Sequence, residues 1–353
     1  MMTYKEILFF IGKSLTINHE NHNRVLVEEE LKSNKIDWDA VVKVSTSHYV
    51  FPALYCNLKK ADFLHYLPDD LVEYMKRITD LNRERNQQII EQAKEINDLL
   101  LENHITPIFL KGTGNLLEDL YDDITERMVG DIDFLVSEEN LYKANKTLLN
   151  AGYYTTSKKN KGHRHLPRLI KRNRIGAVEI HKEIIKKKYS NHFNFNSVYH
   201  SIKNKKGARF LSNKDKLKLV VLSYQINDFG YYYKNINLKQ GYDIFLISIK
   251  NKELISQEFT LYKYFNSYMG LCSIVFNTKQ IRYKKNKHVN SYIKIGLNRI
   301  GKKNRFLKFI KNWQSRTNLL YKSFYNQESR NLLFSKIFNL IWIKNKLGFK
   351  PNL

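Results

Sequence analysis

Two aspartates separated by one apolar residue, Asp131 and Asp133, stand at the head of an apolar run that ends at Val136. Alternate side chains of a β-strand point to the same face, so the two carboxylates would project together while the apolar residues enter the core. Adjacent carboxylates repel each other unless a cation lies between them. Carboxylate oxygens are ligands that suit Mg²⁺ in phosphate chemistry, so the pattern predicts a divalent metal site.

A second stretch with possible chemistry, Lys111-Gly112-Thr113-Gly114, follows a short apolar run about twenty residues earlier. We predict a turn between a strand and a helix. Glycines let the backbone approach a phosphate, free N–H groups at a helix start point at anions, and Lys111 adds a positive charge. An ordinary strand-to-helix turn, whose glycines only permit tight geometry, is the competing interpretation.

A third candidate lies in the short apolar run Ala177–His181, where Glu179 and His181 would share one face of a strand. Glu179 is either a third functional carboxylate or an edge-strand acid paired with a lysine. His181 either orients a substrate or is a histidine satisfied beside the site. Arg127 precedes the aspartates and either grips a phosphate through two hydrogen bonds or is a solvated loop residue.

The elements that must position these residues fall into three parts. Apolar residues at helical spacing predict helices before residue 103, and short apolar runs predict strands after it. The segments with these patterns are helices at Tyr4–Ser14, Arg24–Ser33, Trp38–Val44, Leu71–Glu102, Asn115–Tyr121 and Glu138–Asn150, and strands at Ile105–Leu110, from Asp131, at Tyr153–Ser157 and at Ala177–His181.

The third part returns to helices at Leu217–Tyr224, Gly241–Lys250 and Ile255–Tyr268. The order of elements predicts an α+β fold, in which a small mixed β-sheet core is flanked by N-terminal and C-terminal helical regions. We place the regions at residues 1–103, 104–212 and 213–353. Asp228 and Asp243, in the helical part, are interpreted as helix caps rather than ligands.

The chain of 353 residues is strongly basic, with 60 Lys and Arg against 34 Asp and Glu and a net charge of +26. From Phe259 onward, Glu328 is the one acid among twenty basic residues. Such a region could bind a polyanion such as RNA or an anionic membrane surface. The alternatives are the amino-acid usage of an AT-rich genome and plain helical packing around Ile310, Leu320, Phe334, Ile337 and Ile341.

Cysteine usage and hydropathy bear on the compartment. The chain has 2 cysteines, Cys56 and Cys272, far apart in sequence. They fit a reducing cytoplasm and supply neither a disulfide nor a zinc framework. We expect no signal peptide, because no small-residue cleavage site follows the first apolar run. No run approaches the roughly eighteen apolar residues of a membrane span.

The combined motifs resemble the nucleotidyltransferase superfamily with the DNA polymerase β-like core, over residues 45 to about 250. The closest resemblance is to an uncharacterised bacterial branch with a Leu-Lys-Gly turn in place of Gly-Ser. The matching pieces are residues 48–55, 108–112, 127–136, 149–153, 165–167 and 178–181. The serine that usually follows the turn glycine is absent, although Thr113 could supply a hydroxyl.

The resemblance implies an Mg²⁺- or Mn²⁺-dependent transferase that binds an NTP such as ATP. Asp131, Asp133 and Glu179 would be catalytic and would hold the metal, and Glu179 could also accept the proton of the attacking hydroxyl. The nucleotide-binding residues would be Lys111, Gly112, Thr113, Arg127 and His181. His163 and His165, in a basic loop, have a lesser claim to a phosphate contact.

Three hypotheses stay open. The first is an active enzyme that moves a nucleoside monophosphate to a hydroxyl or phosphate acceptor, which could be a small molecule, a peptide, a protein or RNA. The second is a catalytically inactive nucleic-acid-binding protein with the same fold. The third is a regulatory partner of the toxin–antitoxin type. The intact set of three carboxylates favours the first hypothesis.

Overall fold

The computed structural model describes residues 2–155, 164–251 and 255–302, together with single residues between 307 and 330. Contacts divide the chain into two compact units, residues 1–300 and residues 301–353. In the second unit, the described residues between 307 and 330 are helical. Among the apolar residues predicted to pack there, Leu320, Phe334, Ile337 and Ile341 lie outside the described residues. The predicted boundaries after residues 103 and 212 fall within the first unit and stay predictions.

The N-terminal part consists of helices, as the apolar spacing predicts. Its first helix begins at a capping box, in which Thr3 Oγ1 accepts from the Glu6 amide and the Glu6 carboxylate accepts from the Thr3 amide. Its last helix is 34 residues long and buries one stripe of side chains. The helices are α1 (Tyr4–Ser14), α2 (Asn21–Lys32), α3 (Trp38–Ser47), α4 (Phe51–Lys60) and α5 (Asp69–Glu102).

One mixed sheet forms the centre of the first unit. Its strands are β1 (Ile108–Phe109), β2 (Asp131–Leu135), β3 (Tyr154–Thr155), β4 (Leu169–Ile170), β5 (Ala177–His181), β6 (Lys203–Lys205) and β7 (Ala208–Phe210). They lie in the order β3-β4-β5-β2-β1-β7-β6. The central strands β2 and β5 are parallel, whereas β1 runs antiparallel to β2. The sheet and its flanking helices confirm the predicted α+β fold.

The two faces of the sheet differ in chemistry because side chains alternate along each strand. Ile132 and Phe134 of β2 enter the large core shared with the N-terminal helices. Leu135 lies on the opposite face, in a smaller apolar cluster with Ile184 and Leu219. Asp131 and Asp133 share that second face, which places carboxylates beside a small core rather than in open solvent.

Helix α5 holds the backbone segments that lead into the two central strands. The Asn86 amide donates to the carbonyls of Ile124 and Arg127 at 2.6 and 2.7 Å. Gln92 exchanges two hydrogen bonds of 2.9 Å with the backbone of Gly176, immediately before β5. These polar side chains are buried, and each forms hydrogen bonds with backbone groups that lie outside the β-ladders of the sheet. The long helix therefore fixes where both acidic strands begin.

Further helices flank the sheet and complete the first unit. They are α6 (Lys111–Leu117), α7 (Leu141–Asn150), α8 (Phe195–Tyr199), α9 (Asn213–Leu222), α10 (Gly230–Tyr233), α11 (Leu238–Lys250), α12 (Tyr262–Val275) and α13 (Lys287–Arg299). A π-helical turn, Ser223–Asn227, follows α9. Among the described residues, no helix is long and apolar enough to cross a membrane.

One predicted boundary, the start of the helix after the first strand, is wrong in an informative way. The helix predicted from Asn115 begins at Lys111, so the glycines lie inside its first turns. A Cβ atom on Gly112 would lie 2.8 Å from Val129 Cγ2, and one on Gly114 would lie 2.8 Å from the Phe109 carbonyl oxygen. Glycine is needed there because the helix packs closely on its neighbours, not because a loop must turn.

Candidate active site

The predicted carboxylates of β2 and β5 are brought together by the parallel pairing of these strands. Asp133 lies directly opposite Glu179 in the register, and His181 lies opposite Leu135. Side chains of paired residues project to the same face. One ligand atom from each of Asp133, Glu179 and His181 lies within 4.8 Å of the others. This group can hold a metal ion. Asp131, two residues before Asp133 on β2, projects from the same face of the sheet.

Asp133 is the most enclosed carboxylate of the site and is held by two donors. Its Oδ1 atom lies 2.5 Å from Lys111 Nζ and 2.8 Å from His181 Nε2. Burial alone would raise the pKa of Asp133, but Lys111 and the hydrogen bond with His181 outweigh burial and hold the pKa well below its ordinary value. Asp133 is therefore an anion, which is the form that a metal requires.

Glu179 and Asp131 share a cation that the sequence interpretation missed. Arg168 Nη2 lies 2.9 Å from Glu179 Oε1 and 3.1 Å from Asp131 Oδ2. Burial opposes ionisation of Glu179, but His181 and His165 help to lower its pKa to about 2. Burial raises the pKa of Asp131, and Arg168 offsets part of that rise. Arg168 directly follows the matching piece 165–167, and nothing in its spacing from the acidic strands marks it in the sequence.

The two histidines of the site touch the carboxylates from different sides. His165 Nε2 lies 3.5 Å from Glu179 Oε2, and its ring lies beside the ring of His181. His181 is fully buried, with Nδ1 3.4 Å from the Glu183 carbonyl oxygen. In this structure Nε2 donates to Asp133 Oδ1, so a metal at Nε2 would replace that hydrogen bond, with the His181 proton held on Nδ1 and directed at the Glu183 carbonyl. The predicted residue His163 lies outside the described residues.

The Lys-Gly segment is bonded to the strand that carries the aspartates. The Leu110 amide donates to the Asp133 carbonyl at 2.9 Å, and Thr113 Oγ1 donates to the Asp131 carbonyl at 2.7 Å. Thr113 is fully buried, so its hydroxyl fixes α6 against β2 in this structure. Lys111 has a φ of 52°, a left-handed conformation that an L-residue adopts at a cost of about 1 kcal/mol. Such strain often accompanies functional sites.

Arg127 is engaged elsewhere than at the carboxylates. Its Nε and Nη2 atoms donate to the Asp243 carboxylate at 3.0 Å each, and its Nη1 donates to the Met128 carbonyl at 2.8 Å. Both partners are buried. The interpretation of Asp243 as a helix cap is wrong, because it lies inside α11 as the counter-ion of Arg127. The phosphate contact of Arg127 stays a prediction.

Lys239 is a second cation that the sequence interpretation missed. Its Nζ atom lies 4.8 Å from the centroid of the Tyr49 ring and has no hydrogen-bond or ion-pair partner among the described residues. Burial, helped by repulsion from Arg127, lowers the pKa of Lys239 to about 8. Asp131 and Asp228 act on it in the opposite direction, so this lysine lies within the field of the site.

The donor set can hold a divalent metal ion. Its carboxylate oxygens suit cations such as Mg²⁺ or Mn²⁺, its imidazole nitrogen suits transition metals, and the group contains no thiolate. The cations Lys111 and Arg168 balance the carboxylates in this structure. The residues present can thus hold a metal ion.

Comparison with known proteins identifies the family of the chain. Residues 34–260 match the family described as "Uncharacterised nucleotidyltransferase", and the match contains every strand of the sheet and all the site residues named above. No curated protein and no solved structure matches the chain significantly. Because the matched region is well over half of the sequence, the chain belongs to this family of nucleotidyltransferases.

Proposed function

We propose that this protein transfers a nucleoside monophosphate from an NTP to a hydroxyl or phosphate acceptor, with Mg²⁺ or Mn²⁺ as cofactor. The observation that carries the proposal is the convergence of Asp133, Glu179 and His181 ligand atoms within 4.8 Å, in a chain of the nucleotidyltransferase family. Asp131 adds a fourth donor on the same face. A structural role alone would not require so many acids on one buried face.

The metal would be held by Asp131, Asp133 and Glu179. When bound, it would offset the negative charge of the phosphate oxygens during transfer. Lys111 and Arg168 are placed to bind those oxygens as well, because both already lie at the carboxylates. Gly112 and Thr113 remain the proposed contacts of the nucleotide at the start of α6.

The reaction conserves atoms and charge in a simple way. An acceptor oxygen forms a bond to the α-phosphorus, the bond from that phosphorus to the bridging oxygen breaks, and pyrophosphate leaves. The acceptor proton passes to a base, for which Glu179 is the proposed group. A pKa of about 2 makes Glu179 a weak base while Arg168 and the histidines surround it. Proton transfer to Glu179 therefore requires that some of these contacts be exchanged.

The test is incubation of the full chain with each α-³²P-labelled NTP and Mg²⁺ or Mn²⁺, with and without cell extract. Asp133→Asn removes a charge and little volume, and we expect it to abolish labelling of any acceptor. Asp39→Asn, an exposed aspartate at the start of α3, is the matched control and should keep full activity. Equal labelling by wild type and Asp133→Asn would contradict the metal assignment.

The inactive nucleic-acid-binding protein is the alternative that the net charge of +26 favours. It predicts RNA binding that weakens steeply with salt and does not change in Asp131→Asn. The regulatory partner predicts one dominant copurifying protein. Absence of label together with absence of metal-dependent NTP binding would move the conclusion to one of these two classes.

A further inference from the structure

The Arg168 side chain joins two of the candidate metal ligands, Asp131 of β2 and Glu179 of β5, across strands. It reaches from the start of β4 and contacts Glu179 through Nη2 at 2.9 Å and Nε at 3.3 Å. The same Nη2 atom contacts Asp131 at 3.1 Å. Half of the Arg168 side chain is exposed, so it can leave the carboxylates without opening the core.

Lys111 plays the corresponding part at the remaining carboxylate. Its Nζ atom lies 2.5 Å from Asp133 Oδ1, and about a quarter of its side chain is exposed. Arg168 and Lys111 therefore contact oxygens of all three carboxylates. A divalent cation bound at these oxygens would meet two positive charges within the same small space, and like charges at this distance repel strongly.

We propose that Arg168 exchanges partners on substrate binding: it pairs with Glu179 and Asp131 in the free protein and with substrate phosphates when metal and nucleotide are bound, and Lys111 moves with it. The inference rests on the proposed function, because it takes the same carboxylates as the metal site and an NTP as the ligand. A metal ion alone displaces both cations from the carboxylates and supplies no new anionic partner for them. A triphosphate supplies oxygens that match the guanidinium fork.

Two consequences distinguish this exchange from a structural role. The free protein binds a divalent metal weakly, because Arg168 competes for its ligands. Removal of Arg168 shifts two affinities in opposite directions, since metal alone binds more tightly and nucleotide binds more weakly. A residue that only supported the strands would weaken both affinities or change neither.

The experiment measures the binding of Mn²⁺ alone to the full chain by electron paramagnetic resonance, and the binding of a non-hydrolysable α,β-methylene ATP analogue at saturating Mn²⁺ by calorimetry. For Arg168→Gln we expect Mn²⁺ affinity to rise about fivefold, the size expected for a half-exposed ion pair that no longer competes. We expect analogue affinity to fall about tenfold, because a charge-assisted hydrogen bond is lost. Arg168→Lys, which keeps the charge, should lie between Arg168→Gln and wild type.

Three controls make the result specific. Arg174→Gln removes an exposed arginine of the β4–β5 connection, whose partner is Glu95, and should leave both affinities unchanged. Lys239→Gln removes a nearby positive charge that forms no ion pair among the described residues, so a general field effect on Mn²⁺ affinity would appear there too. Asp133→Asn should abolish Mn²⁺ binding. Circular dichroism of each variant verifies the fold.

The proposal is overturned if Arg168→Gln binds Mn²⁺ no more tightly than wild type, if Lys239→Gln shows the same gain, or if no variant binds Mn²⁺. These measurements do not depend on turnover. If Arg168→Gln shifts the Mn²⁺ affinity and the analogue affinity in opposite directions but the wild type transfers no label, the exchange is supported and the proposed catalysis is contradicted. If labelled product forms but the two affinities do not shift in opposite directions, the catalysis is supported and the exchange is contradicted.

Discussion

At the scale of single residues, Lys239 is half-buried and has no hydrogen-bond or ion-pair partner among the described residues. A desolvated ammonium group without a counter-ion is unfavourable, which is why its pKa falls to about 8. The charged groups that act on it are Arg127, which lowers the pKa further, and Asp243, Asp228 and Asp131, which raise it. A phosphate placed near Lys239 would supply the missing counter-ion.

We predict that nucleotide affinity decreases as the pH rises through about 8, because the neutral form of Lys239 no longer attracts a phosphate. Lys239→Gln should lower the affinity for the α,β-methylene analogue about tenfold at pH 7 and should remove most of this pH dependence. Calorimetric titrations at saturating Mn²⁺ between pH 6.5 and about 9 measure both effects.

Lys239→Arg is the control for charge, because arginine stays protonated at every pH in this range. It should retain affinity at pH 9, about one unit above the pKa of Lys239, where wild type has lost it. A wild-type profile that stays flat across pH 8, with full affinity in Lys239→Gln, would remove Lys239 from the nucleotide site.

At the scale of elements, the pair of Arg127 and Asp243 joins the turn before β2 to the middle of α11, 116 residues further along the chain. Both side chains are almost fully buried. The contact fixes the entry to the acidic strand against the C-terminal helices. Removing one partner of such a pair strongly destabilises the folded protein, because the other partner remains as a buried, unpaired charge.

We predict that Asp243→Asn lowers the free energy of unfolding by about 3–5 kcal/mol. The substitution keeps the shape of the side chain but leaves the guanidinium of Arg127 without its counter-ion. Urea denaturation followed by circular dichroism measures the change. Arg174→Gln, which breaks the exposed pair with Glu95, is the control and should cost less than about 1 kcal/mol.

Arg127→Lys separates the two roles considered for this arginine. A lysine cannot reproduce the fork on Asp243, so a structural role predicts a loss of stability with an unchanged KM for NTP. A phosphate contact predicts an increased KM at nearly unchanged stability. We expect a loss of stability with an unchanged KM, because Nε, Nη1 and Nη2 of Arg127 donate to Asp243 and the Met128 carbonyl.

The local part of the fold could be predicted from sequence. Alternating acids and apolar residues identified β5 as Ala177–His181, and apolar spacing identified α1 as Tyr4–Ser14, with both bounds as the structure has them. These elements are defined by side chains next to one another in the chain. The face shared by Glu179 and His181 follows from the same alternation.

The misses have a common physical origin in contacts that are distant in sequence. The strand β6 is exposed and carries Lys203, Asn204 and Lys205, so it has no apolar pattern to detect. Arg168 matters because β4 lies beside β5, and no spacing in the sequence encodes that neighbour. Likewise, Asp243 resembles a surface acid until the fold supplies Arg127 as its partner.

At the scale of the first unit, the N-terminal helices and α11 meet over buried polar groups. Tyr242 of α11 accepts a hydrogen bond from Asn57 of α4 at 3.1 Å and donates one to Glu126 at 2.6 Å. His48 accepts a hydrogen bond from the Leu238 amide at Nδ1, at 3.2 Å. These hydrogen bonds form a buried polar cluster to which all three predicted regions contribute residues. We therefore expect the first unit to unfold as one cooperative body.

Two titratable groups of this buried polar cluster, Glu126 and His48, have opposite effects on how stability depends on pH. Burial raises the pKa of Glu126 from 4.5 to about 7, so the folded protein holds a proton there that the unfolded chain releases, and stability falls between pH 4.5 and 7. Burial lowers the pKa of His48 from 6.5 to about 4, so the unfolded chain binds the extra proton, and stability rises between pH 4 and 6.5. The two displacements are nearly equal in size, and their effects should largely cancel.

We therefore predict that the contributions of Glu126 and His48 to the free energy of unfolding largely cancel between pH 5 and 6.5, and that single variants reveal the slope of each contribution. Glu126→Gln should become more stable as the pH rises through this range, because the contribution of His48 remains. His48→Gln should become less stable, because the contribution of Glu126 remains. Each contribution is at most about 3 kcal/mol over the full range of its titration. Urea unfolding at four pH values tests the signs, and slopes of the same sign in both variants would contradict the assignment of opposite protonation states to these two buried groups.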